Sequence, residues 1–177
     1  WAYANYEDGM KLTEEMYKKI SKEVLGTLKF KTHGYEVDLG KKWEIYDYEK
    51  IIKKYTGIEI YKDDEKKIKK KLDEIEMEYD KNVDKWRLID FLWKYCRKKL
   101  AGPGFLTGQP VEVSPLAKRS SNDKRKVEQF QIIIAGTELG NGYSELNDPV
   151  DQDERFKRQK ELKESGDSEA QEHDKSF

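Results

Sequence analysis

Gln129-Phe-Gln-Ile-Ile-Ile-Ala-Gly-Thr-Glu-Leu-Gly-Asn-Gly-Tyr-Ser-Glu-Leu-Asn-Asp148 is the stretch on which the fold turns. Phe130, Ile132 and Ile134 alternate with Gln129, Gln131 and Ile133, and Ala135-Gly136 offers a two-residue turn before Thr137, which together predict a β-hairpin. With that turn, Ile133 lies opposite Glu138 and Gln131 shares their face, while Phe130, Ile132, Ile134 and Leu139 point to the core. Asn141, Tyr143 and Glu145 recur at every second position, so an extended chain sends all three side chains to one surface. Glu138 and Asn141 are three apart, and a regular strand would separate them. A bulge at Gly140 or Gly142 would instead gather Gln131, Glu138, Asn141, Tyr143 and Glu145 on one face. A carboxylate beside an aromatic wall suits a small cationic ligand. The same residues would equally make an ordinary solvent-facing polar strand.

Outward from the hairpin, Met10 to Leu25 carries Leu12, Met16, Ile20 and Val24 at fourfold spacing and ends at Gly26, predicting an amphipathic helix. Residues 28–32 and 35–39 alternate around His33-Gly34, a second hairpin whose histidine is a loop residue. Trp43 to Tyr48 leads into a short helix over Tyr48 to Tyr55, stopped by Gly57. Tyr61 to Lys81 has a thin apolar stripe of Ile68, Leu72, Ile75 and Tyr79 in dense mixed charge, as a solvated helix would. Its lysines at 66, 67, 69, 70 and 71 could touch phosphates, but acidic neighbours dilute them. Val83 to Leu100 is apolar over a wide face through Trp86, Ile89, Leu92, Trp93, Cys96 and Leu100, so it should be buried, and Cys96 reads as core. Phe105 to Thr107 and Val111 to Val113 read as short strands, and Lys118 to Lys126 as a flexible basic loop. Asp148-Pro149 opens a helix to about Glu164, with Asp151, Asp153 and Glu154 at the positive end of its dipole. The tail from Ser165 is polar, and His173 in it has no partner spaced for a metal.

The 35 basic and 36 acidic residues nearly cancel, so no global field marks the chain for nucleic acid. One cysteine excludes internal disulfides and fits a reducing cytosol. No apolar run approaches a membrane span and no leader pattern is present, so a cytoplasmic chain is expected.

The run Glu138 to Phe156, with Pro-Val-Glu-Val-Ser-Pro-Leu-Ala-Lys (Pro110 to Lys118) and the opening Trp-Ala-Tyr-Ala-Asn-Tyr-Glu-Asp, resembles the catalytic domain of class II lysyl-tRNA synthetases. The resemblance implies an α+β fold, an antiparallel β-sheet flanked by helices, with residues 1–177 forming part of that catalytic domain and a charge-rich helical segment at about 61–100. It implies that Asn141, Tyr143 and Glu145 contact the lysine substrate. Glu138 would bind magnesium bridging the phosphates of ATP, and the second metal carboxylate falls on Gln131. An amide oxygen can coordinate a hard cation but adds no charge. Related synthetases for aspartate and asparagine carry arginine at the place of Glu145, so the sign of this residue would select lysine.

The resemblance further implies tRNA-Lys as partner and a homodimer built through motif one. Trp1 falls just past motif two and Phe177 before motif three, so the 177-residue chain by itself is expected to show no lysine-dependent pyrophosphate exchange. Edges left open where neighbouring strands would pair are expected to invite self-association. A paralogue that attaches lysine to elongation factor P shares the Glu-Leu-x-Asn-Gly pattern. It tends to carry alanine where Gly140 stands and lacks the Asn147 to Pro149 continuation. A non-catalytic interaction module derived from a synthetase is the third reading; Gln131 favours it, and the retained Glu138, Asn141, Tyr143 and Glu145 oppose it.

Overall fold

A computed structural model describes residues 2–164; Trp1 and the tail with His173 lie outside the described residues. The hairpin forms as expected, from β5 (Gln129–Ile134) and β6 (Thr137–Tyr143) in antiparallel pairing. Its two turn residues, Ala135 and Gly136, both have positive φ, 51° and 70°, the twist that matches right-handed strands. Ile133 pairs with Glu138, Ile132 with Gly140 and Gln131 with Asn141, so the extra residue of the bulge is Leu139 and not the expected Gly140 or Gly142, both of which have a partner. The bulge resets parity and brings Glu138 onto the face of Asn141. Having no residue opposite, Leu139 does not enter the core as expected but is 47% exposed.

Both faces of β5 are buried. Phe130, Ile132 and Ile134 pack with Val37, Leu39, Trp43 and Phe105 on one side, while Ile133 enters a helical cluster on the other. The ring of Phe130 lies against Gly142, where an added Cβ would sit 2.7 Å from it. That ring is also held edge-on by Phe105, with centroids 5.5 Å apart. Gly142→Ala is therefore expected to destabilise the protein by about 1–3 kcal/mol, the cost of overpacking a core, read from the urea midpoint at unchanged m-value.

The sheet runs β3-β4-β5-β6. β4 (Gly104–Thr107) is antiparallel to β5, and β3 (Glu44–Asp47) is parallel to β4. The strand at Glu44–Asp47 was not legible beforehand, because this edge segment leaves Ile45 exposed and buries Tyr46. A parallel pair needs a crossover, here made of α2 (Tyr48–Thr56), α3 (Glu65–Glu74) and α4 (Lys85–Arg97). Each starts on an aspartate, Asp47, Asp64 or Asp84, whose side chain accepts an amide hydrogen of the first turn. Asp64 and the stop at Ile75 cut the expected long helix down to α3. Ile52, Ile68, Leu72, Leu88, Ile89, Leu92 and Cys96 then form one core with Leu106 and Ile133 of the sheet. Burial pushes the Cys96 thiol up to about 12, as befits a packing residue. Lysines 67, 69, 70 and 71 pair with Asp63, Glu65 or Glu74 rather than forming a free cationic face.

On the opposite face lie α1 (Tyr6–Leu25) and the hairpin of β1 (Lys29–Thr32) and β2 (Tyr35–Asp38). Asn5 and Asp8 close a capping box at the start of α1. Its buried side differs from the expected stripe: Leu12, Met16, Ile20 and Val24 are 47–74% exposed. Tyr6, Met10 and Tyr17 make the core contacts instead. Tyr17 sets its edge on Trp43, and Gly9 lets the helix approach Phe130. Residues Val111–Val113 are a 3-10 turn and not a strand. The helix from Asp148 forms as expected, as α5 (Pro149–Glu164).

Candidate functional site

At the end of β6 exposure alternates. Asn141, Tyr143 and Glu145 face solvent, while Gly142, Ser144 and Leu146 are partly covered. The covered side is the one that meets Phe130 through Gly142 and accepts the Tyr6 amide hydrogen on the Ser144 hydroxyl at 3.2 Å. The opposite, open face thus presents an amide, a phenol and a carboxylate in a row.

Glu145 lies beyond β6. The Ser144 amide still donates to the Glu128 carbonyl, but the chain then pairs with the segment 114–118. Glu145 bridges Ala117, the Lys118 amide donates to the Ser144 carbonyl at 2.9 Å, and the Leu146 amide donates to the Leu116 carbonyl at 3.2 Å. The three stretches that carried the resemblance therefore meet at Ser144 and Glu145.

Behind the loop stands Arg155 of α5, 6% exposed. One guanidinium nitrogen donates to the carbonyls of Ser114, Pro115 and Ala117 at 3.4, 3.3 and 2.6 Å. The other two donate to Asp151 at 2.9 and 2.6 Å. Asp151 also accepts a fork from Arg119, with both bonds at 2.9 Å. Two guanidinium groups hold the Asp151 carboxyl down to about 2, the Arg155 bond contributing most. Residues 118–126 are consequently not a free loop. Arg119 is clamped, Arg119 and Val127 bridge, and Lys126 pairs with Asp47 at 3.0 Å.

Glu138 is half-buried on the open face. Burial pushes its carboxyl up, opposed by Arg97 of α4, whose guanidinium donates to it at 3.4 Å, and reinforced by Asp90. The side-chain oxygen of Gln131 is buried without a hydrogen-bond partner. An orphaned acceptor near one carboxylate is chemically suited to a hard cation, yet it brings one formal charge rather than two. Among the described residues no group of three or more histidine, cysteine, aspartate or glutamate side chains could hold a metal. The donors present thus fit a cation that arrives with most of its oxygen shell from a phosphate ligand and water.

The expected residues Gln131, Glu138, Asn141 and Tyr143 share one face of the hairpin and Glu145 continues it, whereas the contacts of Arg97, Arg119, Asp151 and Arg155 have no counterpart in the sequence reading. The sequence marks Asp151 only as a partner for the helix dipole. The signal available was the spacing of Asp151 and Arg155, which places an ion pair four residues apart on one helix.

The family model for class II tRNA synthetases (D, K and N) matches residues 1–177, and the chain belongs to that family. Among its relatives, the lysine-tRNA ligase of Thermosipho africanus (strain TCF52B) is 45% identical over 176 residues, 99% of this chain and 35% of the relative. The lysine-tRNA ligases of Fervidobacterium nodosum and Thermotoga maritima are 43% and 41% identical, with 34% and 35% of their lengths covered. The chain thus spans about a third of the curated relatives it matches. Among the described residues no helix is long and apolar enough to cross a membrane.

Proposed function

We propose that this chain is the amino-acid-reading part of a lysine-tRNA ligase catalytic domain, which uses ATP to activate lysine and transfers it to tRNA-Lys. The observation that carries this reading is the outward row of Asn141, Tyr143 and Glu145, whose single charge is negative and is backed by a hydrogen-bonded loop. Glu145 pairs with the ε-ammonium of lysine, the ring of Tyr143 packs its aliphatic stem, and the Asn141 amide hydrogen-bonds its polar end. The names of the relatives support the same substrate.

Glu138 and Gln131 would hold magnesium together with the ATP phosphates. When bound, the ion supplies charge neutralisation at the phosphates. Until then Arg97 offsets the charge of Glu138. Activation is attack by the lysine carboxylate on the α-phosphorus with release of pyrophosphate, so these residues position and discriminate and no covalent nucleophile is needed. The intact protein is a cytoplasmic homodimer in this reading. Its test is amino-acid-dependent pyrophosphate exchange by the intact protein. Exchange with lysine and none with asparagine or aspartate is expected, and exchange driven by either of those two would overturn the assignment.

A further inference from the structure

Glu145 has its two neighbouring peptide groups bonded to the loop at residues 116 and 118. That loop is bonded on its other side to Arg155, through three carbonyls including that of Ala117, the bridge partner of Glu145. Arg155 is itself oriented by two bonds to Asp151, and Asp151 is fixed by the fork of Arg119, which returns to the same loop at its next residue. The circuit is closed. From this we infer that Arg119, Asp151 and Arg155 form a positioning device that sets where the Glu145 carboxylate stands, and with it the length of side chain the site accepts.

The inference rests on Glu145 as the lysine reader. A rigid fork of donors is what the device requires. A lysine at position 155 keeps the charge but cannot bond three carbonyls and a carboxylate at once, because its donors radiate from one atom on a flexible stem. The loop then relaxes and the carboxylate moves with it. A displacement of about 1 Å is enough to degrade an oriented contact by as much as 100-fold.

The test compares Arg155→Lys and the half-exposed Arg119→Lys with the parent in the intact protein, using lysine and ornithine, which is one methylene shorter, in pyrophosphate exchange. Both variants are expected to raise KM for lysine by about tenfold with KM for ATP within twofold. The preference for lysine over ornithine, a difference of one methylene worth roughly 10- to 200-fold, should shrink in both. Folded variants with unchanged lysine KM and unchanged preference would overturn the device. If Arg155→Lys fails to fold, Arg119→Lys alone decides. Glu145→Gln is run alongside. If that variant leaves lysine KM unchanged, the lysine-reading assignment falls, whereas an effect there with none at 119 or 155 removes the positioning device only.

Discussion

Glu145→Gln is expected to raise the apparent KM for lysine by on the order of 100-fold in the intact protein, with KM for ATP and the thermal midpoint essentially unchanged. The substitution keeps shape and hydrogen-bonding capacity and removes one charge. At an effective dielectric of about 20, unit charges about 4 Å apart attract by roughly 4 kcal/mol. Glu145 stands on an exposed face, so screening and retained hydration reduce that value. About 2.8 kcal/mol surviving corresponds to the hundredfold loss. Steady-state exchange over a lysine series measures it directly, and an unchanged lysine dependence would sink the assignment of this residue. A charge reversal to arginine at the same place should abolish lysine activation altogether, since it sets like charges together.

Loss of Asp151 should be the most costly change to stability in the described structure's polar network. Asp151→Ala is expected to lower unfolding free energy by about 3–5 kcal/mol, because it leaves the buried guanidinium of Arg155 without its counter-charge. The Asp151 side chain is 14% exposed and that of Arg155 5%, so water cannot replace the lost partner. The pH dependence has a defined sign. The folded carboxyl titrates at about 2 against an ordinary 3.8, so the unfolded chain binds the proton first on acidification. This stability is present in full above about pH 4 and is lost as pH falls through 2, amounting to roughly 2.5 kcal/mol. Asp123, held down to about 2 by Arg125, titrates over the same window near the surface and forms the background. Urea unfolding at pH 7 and pH 3 should show a smaller acid loss in Asp151→Asn than in the parent. Equal losses would exclude Asp151 from the acid response.

How much of this was legible differs from element to element. Residues 129–148 contain their own instructions: the turn demands positive φ at two positions, and the spacing of Glu138 and Asn141 demands a bulge if they are to share a face. Both are local in origin. Apolar spacing places α2, α3 and α4, and the wide apolar face of α4 foretells its burial, but the caps at Asp47, Asp64 and Asp84 show only in the folded chain, so the helix expected over Tyr61 to Lys81 is too long. The face that α1 buries was misread, because Leu12, Met16, Ile20 and Val24 satisfy the periodicity as well as Met10 and Tyr17 do. Only the position of Trp43 and Phe130 decides between the two faces. The parallel strand β3 escaped notice because four mixed residues have no pattern long enough to read.

The sequence alone determined the hairpin, the need for a bulge, the charge of the open face and the resemblance to the family, since these follow from turn chemistry, parity and the order of residues within one short run. Tertiary structure alone decided that Ser114 to Lys118, Asp151 and Arg155 stand behind Glu145. A guanidinium contact to three carbonyls of a segment about 40 residues away leaves no periodic trace in either segment; it exists because the folded chain brings carbonyls that lack a strand partner to the buried guanidinium of Arg155.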